Sequence, residues 1–371
     1  MKIAFLTRYK SNDINVWSGT LFHLFQTLNV HHKVEWVGEN MLEQITAYQS
    51  ENFVRDNDKI DCGRYAPILG RLLSEYFGKS DYDLIFLGDL YYVPFLDVSI
   101  PIVHLSDTTF NLFKNYLGIS NEERIKSAET LEKKYLEKAS VLLYSSEWAK
   151  QNAVSYYGVD PGKIHVIELG ANIPDPVQYQ ENIDTSRCNL LFIGRNWKKK
   201  GGDKVLEAYQ KLKKEGFSCT LTIIGSLPPL QAEEDKDLTI IPFLDKSKQE
   251  DLERLCKILY DTHFLVLPTE FDAYGIVFCE ASAYGVPSIA ADVGGVSQPL
   301  CDGKNGYLLS SEATATDYAE KIKTVFNDKE GYLKLRASSR AEFETRLNWT
   351  IWYKKVNKVI EELVSNHNQA E

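Results

Sequence analysis

The chain has 371 residues, of which 44% are apolar and 25% charged, the balance of an ordinary globular protein rather than a disordered, collagen-like or low-complexity one. That length predicts two domains. The net charge of −10 is shared by both halves, so neither is a basic lobe, and a nucleic-acid partner is not expected, since phosphate binding needs clustered Lys and Arg.

Apolar runs such as Phe264–Leu267 fall far short of the roughly 20 residues that span a bilayer. The opening residues 1–8 show neither an apolar signal core nor a small-residue cleavage site, so a cytoplasmic location is expected. The six cysteines, at 62, 188, 219, 256, 279 and 301, form no Cys-x-x-Cys pair and predict reduced, mostly buried thiols.

Along the chain, residues 2–8 read as a buried strand. A helix follows, carrying Leu21, Leu24, Phe25 and Leu28 on one face. Further strands are predicted at 34–37, 83–88, 101–105, 141–145 and 165–169, with helices near 64–77, 122–138 and 147–156. At 171–187 the alternation lapses into turn chemistry, Asn172-Ile-Pro-Asp-Pro176 and Asp184-Thr-Ser186. It then restarts with strands at 190–193, 220–224, 238–241, 264–267 and 287–290. Helices at 203–214, 247–260 and 275–284 lie among them. Strand–helix alternation of this kind predicts parallel sheets covered on both faces. The fold class expected is therefore α/β, with two Rossmann-like doubly wound domains facing a cleft.

Several signatures are missing. No Gly-x-Gly occurs, so the dinucleotide fingerprint and hydride transfer are disfavoured; Gly78-Lys79-Ser80 lacks the first glycine of a P-loop. Three Asp-x-Asp triplets (Asp56/Asp58, Asp81/Asp83, Asp235/Asp237) read as turn and surface residues. No metal is expected.

Two segments carry the chemistry. In 267–287 a strand ends near Thr269, a loop bears Asp272, and a helix opens at Gly275 with Glu280 further in. Unpaired N–H groups at a helix start suit a diphosphate. Glu280, among Val277, Phe278, Ala281 and Ala283, predicts a buried carboxylate that would be costly to leave idle; it is placed to accept from a ribose diol. In 192–202 a strand delivers Gly194 and Arg195 to a basic turn, Lys198-Lys199-Lys200, closed by Gly201 and Gly202. Arg195 and Lys200 are suited to neutralising a diphosphate leaving group, whereas Lys198 and Lys199 read as solvated.

Together these segments resemble the retaining, nucleotide-sugar-dependent glycosyltransferases of the GT-B fold (family 4). Gly194-Arg195…Lys200-Gly201 matches the family's strand–turn. Asp272-x7-Glu280 matches its Glu-x7-Glu pattern with the first Glu shortened to Asp, and Glu270 falls two residues too early. Trp17-Ser18-Gly19-Thr20 is similar to the family's N-terminal glycine loop, and Val103-His104-Leu105-Ser106-Asp107 to a strand-end segment near the transferred sugar. Ile224-Gly225, Phe243-Leu244 and Gly294-Gly295-Val296 are similar to nucleotide and hinge contacts.

The resemblance implies an acceptor domain at 1–172, a nucleotide-sugar domain at 173–345 and a last helix, 346–371, packing back on the first domain. It implies sugar transfer from a nucleoside-diphosphate sugar, a co-substrate with no cofactor beside it, to a hydroxyl acceptor: a sugar, glycan, lipid-linked glycan or protein. Catalytic roles fall on Arg195, Lys200, His104, Asp107 and Asp272. Donor contacts fall on Gly19, Gly194, Gly225, Leu244, Asp272, Tyr274, Gly275, Ile276 and Glu280. His104 reads equally well as a structural strand-end histidine. Leu112, Phe113, Tyr116 and Leu117 form a patch compatible with core packing or with peripheral membrane contact. A same-fold phosphorylase or epimerase, or a weakly catalytic nucleotide-binding relative, is the alternative.

Overall fold

In the computed structural model the described residues are 1–7, 9–38, 62–87, 93–176, 179–181, 183–228 and 235–370. Asp56 and Asp58, the predicted strand ends at Arg8 and Gly88, and parts of the 171–187 linker lie outside them. The chain divides into two compact units: Met1–Ile167 with Tyr353–Glu371, and Glu168–Trp352.

The first unit is built on a six-stranded parallel sheet of order β2-β1-β3-β4-β5-β6. Its strands are β1 (Lys2–Leu6), β2 (Lys33–Trp36), β3 (Leu84–Leu87), β4 (Ile102–Ser106), β5 (Val141–Tyr144) and β6 (Ile164–Val166). Helices α1 (Thr20–His31), α2 (Cys62–Phe77), the short α3 (Phe110–Phe113), α4 (Glu122–Lys138) and α5 (Glu147–Ser155) connect them. Ile3, Ala4 and Phe5 of β1, and Leu142 and Leu143 of β5, are wholly buried or nearly so. Unbroken apolar strands of this sort belong to a sheet covered on both faces.

The second unit holds another six-stranded parallel sheet, of order β12-β11-β10-β7-β8-β9. Its strands are β7 (Cys188–Ile193), β8 (Cys219–Ile224), β9 (Leu238–Ile241), β10 (Phe264–Leu267), β11 (Ser288–Ala291) and β12 (Gly306–Leu309). Around them run α6 (Gly202–Lys214), α7 (Gln249–Asp261), α8 (Ile276–Ala283), α9 (Ala315–Asn327) and α10 (Lys329–Thr345). The last helix, α11 (Trp349–Ala370), begins in this unit and from Tyr353 onward belongs to the first. There Tyr353 stacks on His31 at 3.9 Å, and the Asn357 amide oxygen lies 2.9 Å from His32 Nε2.

The α/β fold class thus takes the expected form, two doubly wound parallel sheets. Strand β12 and helices α9 and α10 had no counterpart among the predicted elements. What matters for function is the strand order of the second sheet. β7 pairs with β8 on one side and with β10 on the other, so the chain reverses its direction of winding between β7 and β10. The carboxyl ends of two such strands splay apart and leave a crevice, the usual ligand position in open α/β sheets.

Candidate donor site

Both segments singled out from the sequence leave the sheet at that reversal. After β7, the Gly194 N–H continues the ladder by donating to the Ile224 carbonyl at 2.9 Å. The chain then turns through Arg195–Lys200 into α6. Arg195 is exposed, its guanidinium 5.3 Å from the centre of the Phe243 ring, a cation–π geometry that leaves the fork of donors in solvent. After β10, the loop holding Asp272 is anchored by its own main chain: the Gly295 N–H donates to the Asp272 carbonyl at 3.0 Å, and the Glu270 N–H to the Lys199 carbonyl at 2.9 Å.

The two loops meet at one ion pair. Lys200 Nζ lies 2.7 Å from Asp272 Oδ2 and 3.4 Å from the Phe271 carbonyl, with both charged side chains about one-fifth exposed. The carboxylate expected on a sugar hydroxyl and the ammonium expected on a phosphate are therefore partners here. Glu270 is exposed, and its backbone N–H is what ties it to the basic turn.

Two helices begin at this place, and neither has a side-chain cap. α6 follows Gly201 at φ +74°, and α8 follows Gly275 at φ +86°. A Cβ on Gly201 would lie 2.0 Å from the Pro268 carbonyl oxygen, so glycine lets the basic turn press against the end of β10. The uncapped first turns leave N–H groups whose dipole favours an anion.

α8 is buried from Val277 to Ala283, Glu280 included at 3% exposure. Its carboxylate Oε1 accepts a hydrogen bond from Lys246 Nζ, in line with the cost of an uncompensated charge in such a helix. Gly225, at φ +93°, sits behind Gly194, and Leu244 is buried beside the Lys246 loop. Tyr274 is 2% exposed and its hydroxyl donates to the Leu169 carbonyl at 3.2 Å. It therefore has only its main chain to offer a donor, as has Gly275, while Ile276 is half-buried.

In the first unit, Gly19 at φ +96° precedes α1, and Trp17 and Ser18 also have positive φ. Non-glycine residues in that region are strained. The Trp17 indole N–H donates to Asp107 Oδ2 at 2.9 Å, joining the glycine loop to the end of β4. Of the two readings of His104, its packing supports the structural one. It is 1% exposed, packs edge-to-face on Tyr135 of α4 at 4.8 Å, and neither ring nitrogen has a hydrogen-bond partner. Burial drives its pKa down to about 3. It stands in the layer between β4 and α4.

Sequence reasoning did not single out Lys246. Its one signal was indirect, since a carboxylate in an apolar helix requires a cationic partner. Among the described residues no cluster of His, Cys, Asp and Glu could hold a metal ion, and no helix is long and apolar enough to cross a membrane. Leu117 of the aromatic patch is 44% exposed, and Phe113 stacks on Tyr116 at 5.3 Å.

Comparison with known proteins agrees with this geometry. Residues 177–342 match the family described as glycosyl transferases group 1. Over that stretch, a little under half of the chain, the sequence is similar to group 1 glycosyl transferases. Among curated relatives, a D-inositol 3-phosphate glycosyltransferase of Corynebacterium kroppenstedtii is 23% identical over 287 residues, 71% of this chain and 62% of that protein. The chain thus spans somewhat under two thirds of that relative's length. Among solved structures, the sucrose-phosphate synthase of Thermosynechococcus elongatus superposes with a TM-score of 0.71 at 16% identity, covering 98% of this chain and 99% of that one. Anabaena HepE in complex with UDP gives 0.67 at 16% identity, covering 98% and 100%. The chain therefore has the two-Rossmann GT-B fold of these structures.

Proposed function

We propose that this protein transfers a sugar from a nucleoside-diphosphate sugar to a hydroxyl acceptor, with retention of configuration and without a bound metal. The observation that carries the reading is the Lys200–Asp272 pair at 2.7 Å, set between two glycine-started helix ends at the reversal point of the sheet. Arg195 and Lys200, with the N–H groups opening α8, supply the positive charge that a departing diphosphate requires. Glu280 accepts from the ribose. Asp272, held in place through Lys200, meets the hydroxyls of the transferred sugar. HepE, a structural neighbour crystallised with UDP and with UDP-glucose, supports a donor of this class. Acceptor chemistry is assigned to the first unit, with Asp107, fixed by Trp17, as its carboxylate.

The test is a thermal-shift panel of UDP, GDP, ADP, dTDP and NAD, each with and without EDTA, followed by turnover with the matching sugar nucleotides. A ligand at a hundredfold its Kd stabilises by about 2.7 kcal/mol. The expected result is a shift with one nucleoside diphosphate, insensitive to EDTA, and a product whose anomeric proton retains the donor's configuration by NMR. A shift with NAD alone, or with none of the panel, would overturn the reading.

A further inference from the structure

Glu280 is the only ionisable carboxylate on α8, and the structure gives it one cationic partner. Lys246, 17% exposed on the loop between β9 and α7, donates to Glu280 Oε1. The same ammonium lies 3.4 Å from the main-chain carbonyl of Asn172. Asn172 is itself 1% exposed, and its side-chain oxygen accepts from the Trp349 indole N–H at 3.2 Å. Lys246 is thus held from two sides, by the Glu280 carboxylate of the buried helix and by the main chain at the buried Asn172.

An ammonium has three donors and no acceptor, and a carboxylate accepts at two oxygens. Two of the lysine's donors are occupied, by Glu280 and by the Asn172 carbonyl, and one remains. Among the described residues no hydrogen bond reaches Glu280 Oε2. The pair therefore presents one spare donor beside one spare acceptor, both on fixed supports. Vicinal hydroxyls are complementary to such a pair, because one can donate to the carboxylate while its neighbour accepts from the ammonium.

We infer that Lys246 is a specificity-determining residue that acts with Glu280 as one clamp on the ribose diol of the donor: Glu280 Oε2 accepts from one hydroxyl and Lys246 Nζ donates to the next. This rests on the reading of a nucleoside-diphosphate donor given above. It extends that reading to a residue that no motif in the sequence marks. It also ties the clamp to the segments at Asn172 and Trp349, close to both points where the chain passes from one unit to the other.

The experiment measures binding of UDP, GDP and ADP, and of their 2′,3′-dideoxy counterparts, to the full chain by calorimetry. The proteins compared are the parent, Lys246→Met, Lys246→Arg and Glu280→Gln. For the base that binds, the parent is expected to prefer the ribonucleotide at least tenfold, the scale of a hydrogen bond to a charged group. Lys246→Met should lose about tenfold for the ribonucleotide and little for the dideoxy form, so that the preference falls to within about threefold, as in Glu280→Gln. Lys246→Arg should recover most of it. If Lys246→Met keeps the full preference, or weakens both ligands equally, the lysine is only a structural counter-ion and the proposal is overturned. Should Lys246→Met not fold, Lys246→Gln and Lys246→Arg give the same comparison. A parent that binds no nucleotide, or does not distinguish the dideoxy forms, overturns the donor reading itself, an outcome separate from any result with the variants.

Discussion

Arg195 and His104, both candidate catalytic residues in the sequence, stand in opposite environments, one in solvent and one in the core. Arg195 is exposed and touches little besides the Phe243 ring, so its loss removes no packing. Arg195→Met should leave stability within about 0.5 kcal/mol of the parent. On the proposed function it should lower kcat about a hundredfold, the scale of one charge-stabilising donor; unfolding curves and turnover on the same preparation check both. His104 is the reverse case. Burial lowers its pKa to about 3, and burial likewise lowers that of His263 to about 4. In the unfolded chain both take up a proton near pH 6.5, whereas the folded form resists until far lower pH. The stability they contribute is therefore present above about 6.5 and is lost as pH falls toward 4. Each should cost roughly 2 kcal/mol between pH 6.5 and 5. Melting curves at pH 7.5, 6 and 5 should show this decline, shallower in His104→Leu, which should also retain turnover. The site was legible in the sequence where chemistry sits beside glycine, as at Arg195, Lys200 and Gly275. It was not legible where partners are remote: Lys200 is 72 residues from Asp272 and Lys246 is 34 from Glu280, and only the order of strands brings them together. For His104 two readings stayed open in the sequence, because alternation places a histidine on a strand without saying which face it takes.

Among elements, the turn between β7 and α6 is the one whose geometry the site depends on most. Gly201 and Gly216 both have positive φ, +74° and +76°, but their surroundings differ. A Cβ at Gly216 meets nothing within 4 Å, while one at Gly201 would fall 2.0 Å from the Pro268 carbonyl oxygen. Gly216→Ala should therefore cost about 1 kcal/mol, the left-handed strain alone. Gly201→Ala should cost at least about 3 kcal/mol, since the backbone at the end of β10 must also move, and nucleotide binding should weaken with it. Paired denaturant titrations of the two variants separate strain from collision. Strand–helix alternation gave most elements to within a residue or two because their apolar runs are continuous and their ends are marked by turn residues. Helices α9 and α10 escaped for a different reason. They are separated by Asp328 alone, so no loop announces the break. The start of α9 is written only in the Thr314–Asp317 capping box, where each side chain bonds the other's backbone N–H.

At the scale of the whole molecule, every residue assigned to the donor lies in the second unit except Gly19, while the first unit depends for its completion on the far end of the chain. Val356, Ile360 and Val364 of α11 repeat at four-residue spacing and are 0%, 0% and 9% exposed, a stripe that closes the first unit's core together with the Tyr353–His31 stack. Burying three such side chains contributes on the order of 6 kcal/mol, comparable with the entire stability of a typical domain. A chain ending at Trp352 should therefore lose the folded first unit while the second, with Arg195, Lys200, Lys246, Asp272 and Glu280, remains intact. In calorimetry one transition should disappear. The surviving transition should still move up by roughly 5–10 °C at a hundredfold the Kd of the nucleotide, from about 2.7 kcal/mol of binding energy acting on a unit of this size. Limited proteolysis should cut the truncated protein within residues 1–167 and spare 188–345. If truncation instead abolished the nucleotide shift as well, donor binding would depend on the first unit, and the assignment of the main donor contacts to the second unit would have to be given up.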